Sequence, residues 1–168
     1  MFDLKRLVHI GRSGRQTDPV QIQRTSRSED PVKLVVITQN PDDSQALLKV
    51  ACGYGWRISI VGSSEAAIAA LNEQPTPLVI CDRDLPGEAW SEVLAKIAAM
   101  PQAVCVLLAS RVVDDYLWRQ VIRHHGYDVV SKPFQPEELR RAVIFAWSWR
   151  GWAHRHYNYT EAREKPTA

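Results

Sequence analysis

The chain has 168 residues, 45% of them hydrophobic, and a formal net charge of +2. That length supplies one ordinary core with some chain left for tails, and so small a charge excludes a nucleic-acid surface argued from basicity alone. Nothing resembles a signal peptide and no apolar run is long enough to span a bilayer, so a soluble, cytoplasmic protein with no membrane partner is expected.

Residues 1–32 are polar and Arg-rich, and their composition cannot repay the entropy of ordering, so a mobile N-terminal extension is expected. Within it, Phe2 to Ile10 places apolar residues near helical spacing and could dock elsewhere. From Lys33 the texture changes. Leu34 to Ile37 is a continuous run rich in β-branched residues, the mark of a strand buried on both faces. Thr38-Gln39-Asn40-Pro41 breaks it, and Asp42, Asp43 and Ser44 then open a helix, where negative charge and capping oxygens are favoured. Ala46, Leu47 and Val50 form the apolar stripe of that helix, which ends at Gly53-Tyr54-Gly55. Arg57 to Val61 reads as a second strand, and Gly62-Ser63-Ser64 opens an alanine-rich helix running through Leu71 and stopped by Pro75 and Pro77.

Leu78 to Cys81 is a short apolar run ending at Asp82, with Pro86-Gly87 close behind: a buried strand that delivers a carboxylate to the lip of a sheet. Such a carboxylate serves as metal ligand, nucleophile or helix cap, and the local pattern leaves the three open. A helix follows from about Trp90 to Met100, with Val93, Leu94 and Ile97 inward. Ala103 to Ala109 is a fourth strand delivering Ser110, Asp114 to His124 a fourth helix, and Asp128 to Val130 a short fifth strand leading to Ser131-Lys132-Pro133-Phe134. Pro136-Glu137-Glu138 starts a last helix that runs to Arg150, with Gly151 beyond it. Cys52, Cys81 and Cys105 lack metal-type spacing and read as reduced thiols.

Five alternations of apolar strand and helix with short connections predict an α/β fold: a doubly wound, five-stranded parallel sheet with helices on both faces, flavodoxin-like. The expected organisation is extension 1–32, domain 33–150 and C-terminal tail 151–168. In this architecture the first, third, fourth and fifth strands end on one edge, which brings together Thr38 and Gln39, Asp82, Ser110 and Lys132.

In that order and spacing, Asp82-Arg83-Asp84-Leu85-Pro86-Gly87, Ser110, Lys132-Pro133-Phe134 and Pro136-Glu137-Glu138-Leu139 closely resemble the response-regulator receiver domain of two-component systems, from about Lys33 to Ala146. The resemblance implies that Asp82 is a phosphoacceptor, with Ser110 donating to a phosphoryl oxygen and Lys132 supplying fixed positive charge. It also implies a cis Lys132-Pro133 bond.

The chain departs from the family at the end of the first strand. There the family carries two acidic residues that bind Mg²⁺ together with the acceptor, whereas Thr38 and Gln39 are neutral. Magnesium prefers charged oxygen ligands, so the expectation is an atypical receiver with no firm cofactor. Its metal site is weak or absent; a residual one would use Asp82 and the backbone of Asp84. Asp42 and Asp43 read as helix N-terminal charge rather than ligands. Asp82 is expected to phosphorylate slowly or not at all with small phosphodonors and Mg²⁺. Val129, where many relatives carry a mobile aromatic, has little rotameric reach to relay a signal.

On the last helix, Leu139, Val143, Ala146 and Trp147 form a core stripe, and Phe145, Trp149 and Trp152 a second, outward one that marks an interface. A homodimer through this helix is one expectation; cover by the Phe2–Ile10 segment is the other. His124 and His125 read as a surface polar pair, and His154 and His156, two apart, do not make a metal pair. The resulting functional reading is a stand-alone receiver acting by protein contact, partnered by a sensor histidine kinase or another signalling protein. Nucleic acid is not an expected partner. The alternatives are a phosphorylation-independent pseudo-receiver and an enzyme on a flavodoxin-like sheet. The enzyme is disfavoured because no glycine-rich phosphate loop follows the first strand and no acid–base pair converges on Asp82.

Overall fold

The computed structural model describes the backbone of residues 31–161 and the side chains of residues 31–148. The elements alternate strictly: β1 (Lys33–Ile37), α1 (Pro41–Tyr54), β2 (Arg57–Val61), α2 (Ser64–Glu73), β3 (Leu78–Asp82), α3 (Trp90–Ala98), β4 (Cys105–Ser110), α4 (Asp115–Arg123), β5 (Asp128–Ser131) and α5 (Pro136–Glu161). The strands form one parallel sheet in the order β2-β1-β3-β4-β5. This is the doubly wound arrangement that the alternation dictates.

Every residue of β3 and β4 is buried, because both faces of the sheet are covered. Alternate side chains then feed two separate cores. Val35, Ile37, Val79, Cys81, Val106 and Leu108 face α2, α3 and α4, packing on Ala67, Leu71, Val93, Leu94, Ile97, Leu117 and Val121. Leu34, Val36, Leu78, Ile80, Leu107 and Val130 face α1 and α5, packing on Leu47, Val50, Leu139, Val143 and Ala146. Each fully buried aliphatic side chain contributes about 1.5–3 kcal/mol of transfer free energy. The two cores thus hold the sheet rigid from both sides and fix the positions of its strand ends.

Helix starts follow local chemistry. Asn40 caps α1, its side chain accepting from the backbone N–H groups of Asp42 and Asp43, with Pro41 in the first turn. The same helix closes on Gly55 in the left-handed conformation (φ 68°). Asp114 caps α4 by accepting from the Leu117 N–H.

Several expectations change. β4 begins at Cys105 rather than Ala103. The helix expected to stop before Gly151 continues to Glu161; one interior glycine costs about 1 kcal/mol relative to alanine, too little by itself to end a helix with no proline to follow it. Trp147 is half-buried, whereas Leu139, Val143 and Ala146 are fully in the core. His124 is no mere surface residue: it ends α4 and stands edge-on to Trp90, with ring centroids 5.5 Å apart. Cys81 and Cys105 are buried and Cys52 is exposed, and none of the three forms a disulfide. Among the described residues no helix is long and apolar enough to cross a membrane. The expected mobile extension up to residue 30, the Phe2–Ile10 segment and the side chains of Trp149, Trp152, His154 and His156 lie outside the described residues.

Candidate functional site

Parallel pairing sets the register that assembles the site. Ile37 lies opposite Cys81, Asp82 opposite Ala109, and Ser110 opposite Ser131. Thr38, Asp82, Ser110 and Lys132 therefore reach one edge of the sheet together, and all four are buried. These are polar groups at less than one-tenth exposure, so each must find partners.

Asp82 accepts hydrogen bonds through both carboxylate oxygens. Its Oδ1 accepts from Lys132 Nζ at 2.7 Å and from the backbone N–H of Asp84 at 3.1 Å, and its Oδ2 accepts from the Thr38 hydroxyl at 3.0 Å. Burial pushes the Asp82 carboxyl up, but the bonds from Lys132, Asp84 and Thr38 and the lysine charge outweigh it and leave the group below its ordinary value. Burial likewise pushes Lys132 down, and the carboxylates of Asp82 and Asp43 reverse this, so the ammonium is held above its usual value. Both members of the pair are ionised near neutrality.

Asp43 belongs to this site. Expected only as charge at the start of α1, it also accepts from Lys132 Nζ at 2.9 Å, with its side chain only 13% exposed. The first turn of α1 points it back over the end of β1. Gln39, by contrast, turns away: it is exposed, and its amide donates to the carbonyl of Gly62 at 2.9 Å. Of the two neutral residues at the end of β1, Thr38 alone reaches Asp82.

Ser110 stands at the site's rim with its hydroxyl engaged by its own loop. It donates to the carbonyl of Val112 at 2.7 Å and accepts from the Val112 N–H at 3.2 Å. The guanidinium of Arg83 also donates to it, at 3.4 Å. Arg83 thus brings a second cation to the rim, and sequence reasoning assigned it no role. The Lys132-Pro133 bond is cis, as the resemblance implies. Val129 is half-buried against the α2–α4 core. Phe145 is 67% exposed, as an outward stripe requires.

Residues 34–144 match the family model described as the response regulator receiver domain. Among curated proteins the chain is similar to the DNA-binding response regulator MtrA of Mycolicibacterium smegmatis, with 28% identity over 109 residues covering 64% of this chain and 46% of that protein. The chain spans less than half the length of the curated relatives it matches. Among solved structures it resembles the receiver domain of the TMAO respiratory system response regulator TorR (TM-score 0.63, 20% identity, 71% of this chain and 98% of that one). It also resembles NtrX from Brucella abortus (TM-score 0.69, 18% identity, 82% of this chain and 31% of that one). At these identities the structural likenesses speak for the fold.

The family's divalent cation needs several hard, charged oxygens in a near-octahedral shell. Here Thr38 and Gln39 are neutral, and Lys132 engages both Asp82 and Asp43. Among the described residues, no group of three or more His, Cys, Asp or Glu side chains is arranged to hold a metal ion. This donor set does not fit the ion.

Proposed function

The chain belongs to the response regulator receiver domain family, and on that premise we propose that Asp82 is a phosphoacceptor in two-component signalling. Receiver domains of this kind are signalling modules that interact with histidine kinases and other signalling proteins. The observation that carries the proposal is the state of the Asp82 carboxylate. It is ionised, fixed by three hydrogen bonds, and its Oδ2 has accepted only one of them. A carboxylate oxygen has two lone-pair sites, so Oδ2 keeps one with which to attack phosphorus. Attack on a phosphohistidine forms the Oδ2–P bond and breaks the N–P bond, and the departing imidazole takes up a proton. Lys132, already at hydrogen-bond distance from the carboxylate, faces the added negative charge. Ser110 serves as donor only after its hydroxyl leaves the Val112 carbonyl.

That last condition favours a second reading, in which the pocket stays closed and the protein signals by contact without phosphorylation. Incubation with ATP and the histidine kinase encoded nearest to this chain separates the two. Phosphoacceptance predicts one added phosphate by intact mass, absent in Asp82→Ala; no added phosphate leaves the contact-only reading. Under either reading the output is contact rather than turnover. The exposed Phe145 and neighbouring Val113, which line a groove with Val129 and Ala142 between β5 and α5, support homodimerisation through the last helix. A monomeric mass by light scattering across micromolar concentrations would exclude it.

A further inference from the structure

We infer that the Lys132 ammonium, clamped between Asp43 and Asp82, is the resident cation of this pocket, and that Asp43 is the positioning residue that keeps it there. The inference deepens the reading of the same site and rests on it for chemistry, but the cation test below does not depend on phosphorylation.

The geometry is that of a filled site. Lys132 Nζ lies 2.9 Å from Asp43 Oδ2 and 2.7 Å from Asp82 Oδ1, and the three side chains are 2%, 13% and 7% exposed. An ammonium has three donors, and two are spent on these carboxylates. Without it the two carboxylates would face each other across a short, poorly solvated gap and repel. Lys132 removes that repulsion, which is the work a divalent ion performs where a site holds several carboxylates. β1 ends at Ile37; the next residue, Thr38, gives its hydroxyl to Asp82, and the second carboxylate comes from the first turn of α1.

The clamp also ties α1 to the turn after β5, two elements separated by 89 positions in sequence. Asp43 therefore fixes where the positive charge sits relative to the acceptor.

Two measurements on the full chain test this. In ¹H–¹⁵N spectra tuned to ammonium groups, Lys132 should give a resonance protected from exchange with water, and Asp43→Asn should broaden or abolish it while the amide spectrum stays folded. Electron paramagnetic resonance with Mn²⁺ as probe should find no ion bound at this pocket in the wild type or in Asp43→Asn. Lys132→Met, if folded, should gain Mn²⁺ binding, and Lys132→Met/Asp43→Asn should lose it again. A Lys132 resonance indifferent to Asp43→Asn, or Mn²⁺ bound in the wild-type pocket and weakened by Asp43→Asn, would overturn the inference.

Discussion

Two lysines in this protein sit between two carboxylates, and they differ in little but depth. Lys96 lies 3.0 Å from Glu65 and 3.3 Å from Glu88, and it also donates to the Ser64 hydroxyl at 2.9 Å. Lys132 lies at closely similar distances from Asp43 and Asp82. The Lys96 side chain is 42% exposed and that of Lys132 is 2% exposed. At the surface, water competes for both charges and salt screens them, so the cluster orders side chains without contributing much stability. This holds even though Glu65 is held down at about 2 by its own backbone N–H and by Lys96. In the pocket, none of the three charged groups is well solvated, and each is tolerable only because the others are present. Contact distance is therefore a poor guide to the importance of an ion pair; the solvent that a charge has given up decides it.

The sharpest way to break this comparison is to remove each lysine in turn. Lys132→Met leaves the buried Asp82 carboxylate and the half-buried Asp43 carboxylate without their shared cation and should cost about 3–5 kcal/mol in urea unfolding. Lys96→Met should shift the urea midpoint far less. Equal losses would mean that depth does not set the difference.

Acid should separate the wild type from Lys132→Met by sign. In the wild type Asp82 is held below 3.8, so its contribution is complete above the ordinary carboxylate range and is lost as pH falls through the lowered value. Lys132 is held above 10.5, so its contribution is complete below that value and is lost as pH rises through the raised one. In Lys132→Met the buried Asp82 carboxylate keeps the upward push of burial and loses the lysine that opposed it, so lowering the pH from about 6 toward about 4 should stabilise the variant while the wild type holds or declines. Urea midpoints at a series of pH values read both trends.

Asp43→Asn should cost less than Lys132→Met, about 1–3 kcal/mol, since one charge-assisted bond is lost but the lysine keeps Asp82. Thr38→Val, nearly the same shape, should cost about 1 kcal/mol for the hydrogen bond to Asp82. The smallest effect should be that of salt. Raising ionic strength should erase most of the difference between the wild type and Lys96→Met and leave that for Lys132→Met nearly intact.

The contrast also explains what was legible in the sequence. The runs Leu78–Asp82 and Cys105–Ser110 are so uniformly apolar before their last residue that only strands covered on both faces can accommodate them. The register of a parallel sheet then brings Asp82, Ser110 and Lys132 to one edge. Periodicity carries that information because it is local. Asp43 was not legible as a site residue: its pairing with Lys132 depends on how the first turn of α1 is rotated over β1, which no local pattern encodes. Arg83 escaped for a related reason, since its reach to Ser110 depends on the path of the chain after β3. The end of α5 lies beyond Gly151 because a single glycine, with no proline or cap to support it, does not stop a helix. Gln39 was correctly placed at the strand end, but its outward turn to Gly62 is set by a neighbouring loop.

Asp82 holds the central place in this pocket, and one measurement tests its proposed role most directly. After phosphorylation by a histidine kinase, reduction with borohydride converts an acyl phosphate on aspartate into homoserine, which peptide mass mapping locates by residue. Homoserine at position 82, and absent when the kinase is omitted, is the predicted result. Homoserine at position 43 or 84, or none at any position in a protein shown to bind the kinase, would contradict the assignment of Asp82 as acceptor.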